Sequence, residues 1–395
     1  MKKLLALAGL VGSLYAQNAV SQVIPTTVDD GRPYLARTNE GSTPFSDETV
    51  NGEDWYLVFP FIPYIGVNDC TMFEDTYNLA TGLLDLDMPE GNVLEESELF
   101  EAFAADIDSL PIVNGSVSIE NMIRFGTFTD DLIFHGYAGG YGRADFRSMG
   151  LDDYVIEFDL ENELVWANFG RPQTAFQGMA LAEIVAGGDF VIPFSIQDVN
   201  FRPSFGIGYR HREAAAAFLS SDALIYTPEN VYYPELSEVR SYGDGLYINM
   251  GLAVDFREIE EYARPVIALS VGNLFSYTHY TDNPLNMPEY DPMRVNLGFE
   301  ITPMGWFNIR GDILNIGNSP EYRFEIAKIV DWGEFSAFVR IDEQTLLGNF
   351  RDSFNIMAAF GNEYAQLRLY GSVDDDFNFG IGMQLGVGWR VSEFM

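Results

Sequence analysis

Long apolar runs are missing from this chain beyond its first fourteen residues. A membrane-spanning helix needs about 18 or more consecutive apolar positions, so none is expected after the N-terminus. Cysteine is almost missing too. Cys70 stands alone, which makes an intramolecular disulfide impossible. A lone thiol becomes a nucleophile beside a histidine, and only His135, His211 and His279 are present. A packed or loop cysteine is the expected reading. Positive charge is scarce: Lys and Arg number 22 against 59 Asp and Glu, for a formal net charge of −37. Nucleic acid binds basic surfaces, so a nucleic-acid partner is excluded. An acidic surface keeps a protein soluble, attracts divalent cations and suits a salty habitat, and composition does not separate these.

What is plentiful is aromatic and apolar. Apolar residues make up 47% of the chain and aromatics 14%, with 31 Phe and 21 Tyr. Both aromatics favour strands. Residues 1–16 have the form of a signal peptide: Lys2 and Lys3, then an apolar stretch from Leu4 to Leu14, then Ala16 before a cleavage point, with Ala19 as a second candidate. Export across the inner membrane is the consequence. Residues 17–50 are polar and turn-rich and read as an extended segment without its own core. Residues 51–395 read as one barrel domain, in which 68–111 is a long loop or a plug. Within that loop, Glu95 to Leu110 has the spacing of an amphipathic helix.

From about residue 112 onward the apolar period is two. Leu246, Ile248, Met250, Leu252, Val254 and Phe256 alternate with Tyr247, Asn249, Gly251, Ala253 and Asp255. The stretches Arg294–Thr302, Phe335–Asp342 and Phe354–Phe360 repeat the pattern, and Phe377–Val391 shows it best. Trp55–Gly66, Ser116–Gly126, Leu132–Tyr141, Val155–Phe169 and Phe201–Arg212 alternate less cleanly. Such strands have one apolar and one polar face. A soluble sandwich does the same, so length decides. These segments run about 9–15 residues, where soluble strands average about 5–6. Phe377 and Trp389 are 12 residues apart. At ~3.3 Å per residue and a tilt of ~45° they stand about 28 Å apart in height, close to the ~25 Å apolar band of a membrane barrel with its aromatic girdles. Turn signals at Asp331-Trp332-Gly333, Gly361-Asn362-Glu363 and Asp374-Asp375-Asp376 suit an up-and-down meander. The expectation is an all-β, antiparallel, transmembrane barrel of about 14 strands in a Gram-negative outer membrane, with outer-membrane lipid as its surroundings.

With the apolar faces on lipid, the alternate residues line the lumen: Asp255, Arg294, Glu300, Arg310, Asp312, Arg323, Glu325, Arg340, Arg368 and Arg390. Two readings stay open. A polar lumen selects solutes or binds an anion; a network of paired charges fills and stiffens the barrel. Inward Gly380, Gly382, Gly386 and Gly388 leave room for a plug to pack close. They lie in a strand, not in a turn entering a helix, so they are not a nucleotide loop. Glu258, Glu260, Glu261 and Asp374–Asp376 read as solvated turns, since they match no calcium-loop spacing. No metal, cofactor or catalytic set is expected.

The chain resembles exported barrels of Bacteroidota-type bacteria, in particular fatty-acid-transporter-like barrels and the barrel subunits of type IX secretion. The start Met1–Gln17 ending Leu-Tyr-Ala-Gln carries the likeness, with Phe59-Pro60-Phe61-Ile62-Pro63-Tyr64, Val271-Gly272-Asn273-Leu274 and the final glycine-alternating strand. The resemblance implies a barrel of roughly 14 strands, an N-terminal hatch, and a protein partner in a secretion or surface complex. Phe394 is followed by Met395 where such barrels often end on an aromatic residue. The polar lumen also argues against a purely fatty ligand. Transport, or a place in a secretion or surface complex, is the leading expectation. A closed anchoring barrel displaying acidic loops is the alternative, and an enzyme is not expected.

Overall fold

The computed structural model describes residues 54–72, 74, 75, 78, 114–128, 132–148, 155–159, 164–226, 231–232, 237–260, 262–303, 307–330, 333–361 and 365–390. Of these, 54–56, 58, 127–128, 148, 155–159, 164–177, 217–226, 231–232, 237–238, 329 and 388–390 are described by backbone alone. The expected signal peptide, the segment 17–50 and the helix at Glu95–Leu110 lie outside the described residues.

Among the described residues seventeen strands follow in chain order: β1 Asp54–Val67, β2 Asn114–Phe128, β3 Ile133–Ser148, β4 Val155–Asp159, β5 Leu164–Val191, β6 Phe194–Ile196, β7 Val199–Tyr226, β8 Val231–Tyr232, β9 Ser237–Asp255, β10 Val266–Asp282, β11 Arg294–Ile301, β12 Asn308–Leu314, β13 Glu321–Val330, β14 Gly333–Gln344, β15 Phe350–Gly361, β16 Ala365–Asp374 and β17 Phe379–Arg390. Three of them, β4, β6 and β8, are short arms pairing only with β5 or β7. The other fourteen form an antiparallel ring, closed where Tyr56 of β1 meets Arg390 of β17 and Val67 meets Ile381. Closure removes both sheet edges, so each ladder group finds a neighbour without water, which is what hydrocarbon demands of a spanning sheet. The expected all-β barrel and its count of 14 are what the structure shows. One expected strand differs: Val155–Phe169 is a hairpin, β4 turning back into β5 with Val155 opposite Asn168. Phe377 also lies in the turn before β17 at φ 66°, so the last strand is shorter than its alternation implied.

The pleat sorts the side chains. Outward-facing Ile356, Phe354, Leu246, Met250, Leu252, Ile326 and Ile381 are all exposed. Their inward neighbours Asn249, Ser270, Asp312, Glu325, Asn355, Arg368 and Gln384 are buried. A water-soluble protein does the reverse. The apolar face is therefore the outer face, as in barrels of the outer-membrane type. On β9 and its following turn the apolar outward run goes from Phe256 to Leu246, which lie ten positions apart. That is about 33 Å of strand, or roughly 23 Å of height at a tilt of ~45°. The next outward residue is exposed Asp244, which lies in register with His211 and His279 on either side. This polar row marks the upper limit of the belt.

Strand β1 begins and β17 ends at the same end of the barrel, here the terminal end. Connections there are short, the longest spanning residues 256–265, while those at the far end include 68–113 and 149–163. The ring is also lopsided. β5 and β7 have 28 residues each, but β11 and β12 have 8 and 7.

Candidate functional site

Two tiers occupy the interior. The lower, toward the terminal end, is a floor of buried side chains. Arg310 on β12 bonds through Nε to Glu300 at 2.6 Å and through Nη1 to Glu325 at 3.3 Å and Glu334 at 3.5 Å. One guanidinium thus holds three carboxylates from three neighbouring strands. Arg257 Nη2 meets Asp255 at 2.7 Å, and Arg368 Nε donates to Gln366 at 2.8 Å. Phe338, Met357 and Ala359 pack together with Tyr370 alongside. A charge buried this way is tolerable because each has a partner, and removing one partner leaves the other stranded.

The long wall holds, nearer its terminal end, a row that sequence reading missed. Tyr137, Gly187, Gly208 and Tyr247 are successive register partners across β3, β5, β7 and β9. The two tyrosines lie over the two glycines, and their hydroxyls meet at 2.6 Å. A Cβ on Gly208 would sit 2.3 Å from the Tyr247 ring, and one on Gly187 2.5 Å from the Tyr137 hydroxyl. The Arg210 guanidinium lies 4.9 Å above the Tyr247 ring centre, a cation–π contact.

Above this row, at the far end, a cavity of about 410 Å³ opens between the walls. The chain has 19 arginines, its 22 cationic residues less Lys2, Lys3 and Lys328. Seven of them line this cavity: Arg143, Arg210, Arg212, Arg294, Arg323, Arg340 and Arg351. Five acidic residues join them: Glu120, Glu183, Glu321, Asp342 and Glu343. The side chains that touch the cavity are therefore net positive in a strongly acidic protein, with Asp145 and Asp291 paired to its arginines from behind. Glu343 gathers three of the guanidiniums, from Arg143 at 2.8 Å, Arg340 at 3.0 Å and Arg351 at 2.6 Å. Glu321 binds Arg323 at 2.6 Å and Arg340 at 3.2 Å. Arg294 is exposed at the mouth.

A loop completes the mouth. Residues 283–293, between β10 and β11, contain Pro284, Pro288 and Pro292 and turn inward. Leu285 N donates to Ser241 Oγ, which faces the lumen, and Thr278 N donates to Glu289 O. Asp291 meets Arg210 Nη1 at 2.7 Å and grips Arg212 in a fork, Nη1 at 2.8 Å and Nη2 at 3.1 Å. Ser276 Oγ donates to it at 2.9 Å. Burial alone would raise the Asp291 carboxyl. The hydrogen bond and charge of Arg212, with Arg210 and Ser276 behind it, outweigh that and hold it below its ordinary range.

The lumen candidates thus divide. Arg294, Arg323 and Arg340 line the cavity. Asp255, Glu300, Arg310, Glu325 and Arg368 belong to the floor. Buried Asp312 stands in register with Arg323. Arg390 pairs by backbone with Tyr56, and its side chain lies outside the described residues. Cavity residues Arg143, Arg210, Arg212 and Arg351 were not singled out from sequence. Residues 208–214 hold the missed signal, since Arg210 and Arg212 alternate with Tyr209, His211 and Glu213. Among the plug-packing glycines, Gly382 faces the Tyr64 hydroxyl of β1 at 3.1 Å from a built Cβ, and Gly380 faces Ser372 and Val67. Gly386 lies opposite Pro60 and Gly388 opposite Val58. Of the expected loop or plug at 68–111, only residues 68–72, 74, 75 and 78 are among the described residues, and they do not test a plug.

Other residues weighed from sequence have plain places. Cys70 is exposed beside the far rim, its N donating to Phe379 O. His135 is buried inside the barrel, whereas His211 points outward with Nδ1 2.9 Å from Asp244, so the wall separates them. Asp374 Oδ1 accepts from Asn378 N at 2.8 Å and Asp376 N at 3.1 Å, an Asx turn closing the β16–β17 connection.

No protein-family model matches the chain, and no curated protein matches it. Solved structures similar to it include BauA, the ferric preacinetobactin receptor of Acinetobacter baumannii, at 13% identity, TM-score 0.30, and 66% of this chain. The chain spans 45% of that receptor's length. A mutant of the Rh. blastica porin aligns at 11% identity and TM-score 0.28, over 86% of this chain and 99% of the porin. OccAB3 of A. baumannii aligns at 8% identity and TM-score 0.29, over 86% of this chain and 99% of its own. Likenesses this faint assign no role, and the barrel is established by strand pairing.

Proposed function

We propose that this protein is a non-enzymatic outer-membrane barrel that admits small anionic solutes through its far-end vestibule. The exposed apolar belt supports an outer-membrane location, and the long far-end connections support placing the vestibule toward the outside of the cell. One observation carries the anionic preference: seven of 19 arginines gather around one cavity although the chain carries a net charge of −37. Charges placed this way bias a pore toward counter-ions, because the low-dielectric wall focuses their field.

The test is reversal potential in a planar bilayer under a KCl gradient. Anion selectivity is expected, reduced in an Arg294→Glu/Arg340→Gln variant. Cation selectivity of the wild-type barrel would overturn the reading. A second reading, a closed anchoring barrel that displays acidic loops, has the floor in its favour. Fully buried Glu325, Phe338 and Arg368 stand below the vestibule. A barrel that inserts into vesicles, stays silent in the bilayer and co-purifies with a protein partner supports that reading instead.

A further inference from the structure

The geometry points to a carboxylate-binding site on Arg210 and Arg212, filled at rest by the protein's own Asp291 and open to a small carboxylate-bearing solute when the 283–293 loop swings away. This deepens the anionic-vestibule reading and rests on it for access.

Three observations carry it. First, the site has carboxylate geometry. Arg212 holds both Asp291 oxygens in a fork, at 2.8 and 3.1 Å, with Arg210 at 2.7 Å from the second oxygen. Planar forked pairing is how guanidinium recognises carboxylate. Second, both arginines stay aimed without Asp291. Arg210 rests on the Tyr247 ring and donates to Asn273 Oδ1 at 3.3 Å and Ser276 Oγ at 2.9 Å. Arg212 also binds Glu183 and the Tyr280 hydroxyl. Groups held this way lose little freedom on meeting a ligand. Third, the vestibule already touches Glu183, Arg210 and Arg212, so a solute in it reaches the pair directly.

The charge count fits an exchange. Two guanidiniums face two carboxylates, Glu183 and Asp291. Replacing Asp291 by a solute carboxylate leaves the buried cluster neutral, so no charge is stranded. Removing the Asp291 side chain instead leaves one positive charge in excess. Asp291 is therefore an internal competitor, and the apparent affinity for a solute is lowered by the fraction of time it occupies the site.

The test is titration calorimetry of the full chain in detergent, with acetate and inorganic phosphate as separate probes. Asp291→Ala is expected to bind acetate at least about tenfold more tightly than wild type. The double variant Asp291→Ala/Arg212→Ala is expected to lose that gain. If Asp291→Ala fails to fold, Asp291→Asn keeps the shape, removes the charge, and is expected to show a smaller gain in the same direction. Equal acetate affinity in folded wild type and variant overturns the site. Tighter binding of phosphate than of acetate overturns the ligand class. Because calorimetry needs no current, a barrel silent in bilayers that still gains affinity keeps the site and discards conduction. An anion-selective wild type whose Asp291 variants gain nothing does the opposite.

Discussion

The wall from β3 to β10 and the wall from β11 to β17 cross the same apolar belt with very different lengths of strand. Through the belt they obey one rule, apolar residues outward and charges inward in partnered clusters. Above it they part. β5 and β7 continue for 28 residues, of which about ten are needed for the belt at a ~45° tilt. β11 to β17 stop at 7 to 12 residues, and their far ends carry the cavity arginines Arg294, Arg323, Arg340 and Arg351. The tall wall contributes Arg210 and Arg212, and the loop joining the walls lays Asp291 between. Uneven height is thus what makes a sheltered cavity instead of a flat rim.

The largest test of this contrast is in the floor. Arg310→Ala on the short wall takes one guanidinium from Glu300, Glu325 and Glu334 together, and about 3–5 kcal/mol of stability should go, read by urea unfolding in lipid vesicles. Glu183→Ala on the tall wall should cost less, because Asp291 still faces both arginines. Equal losses would erase the distinction between the walls.

Next is the belt. Ile356→Arg, outward on β15, is expected to cost ~2–4 kcal/mol in lipid. Glu213→Arg, outward on β7 above the polar row, should stay within about 0.5 kcal/mol. If both prove harmless by the same unfolding measurement, the outer face does not meet hydrocarbon.

A smaller effect separates glycines by their surroundings. Gly208→Ala drives a Cβ into the Tyr247 ring and should cost about 1–3 kcal/mol, partly recovered by Tyr247→Leu. Gly317→Ala has open space and meets only its φ of +88°, so chemical denaturation should show a loss of about 1 kcal/mol.

The smallest effect is with pH. Asp291 has a depressed carboxyl, so its pairing contributes fully above the ordinary carboxylate pKa and fades as pH falls through the depressed value. The stability difference between wild type and Asp291→Asn should be flat from about pH 8 to pH 5 and shrink only in stronger acid. A decline already at pH 6 would show that the loop is held by something else.

Much of this was readable in the residues. Strict alternation at Leu246–Phe256 and through the last strand put the correct face outward, because a two-residue period fixes facing whatever the partners are. Arg323 and Arg340 were legible as inward for the same reason. The hairpin at β4–β5 was passed over, although Asp159, Glu161, Asn162 and Glu163 interrupt the strand composition of Val155–Phe169 and were its signal. Asp291 was illegible because a proline-rich loop has no period to say where it points. Nor does one strand announce its neighbour, so nothing in Tyr137 or Gly208 alone foretold that they lie in one row.

That row has a further implication for assembly. Tyr137, Gly187, Gly208 and Tyr247 work like the cuts of a key: sliding β3 or β5 by a pleat in either direction would set the Tyr137 ring against Val185 or Asp189, and sliding β7 or β9 one way would set the Tyr247 ring against Arg210, instead of a bare backbone. Long ladders otherwise tolerate such slips, since every pleat offers the same hydrogen bonds. Here the chain carries its own alignment mark within its two longest strands, on the part nearer the terminal end.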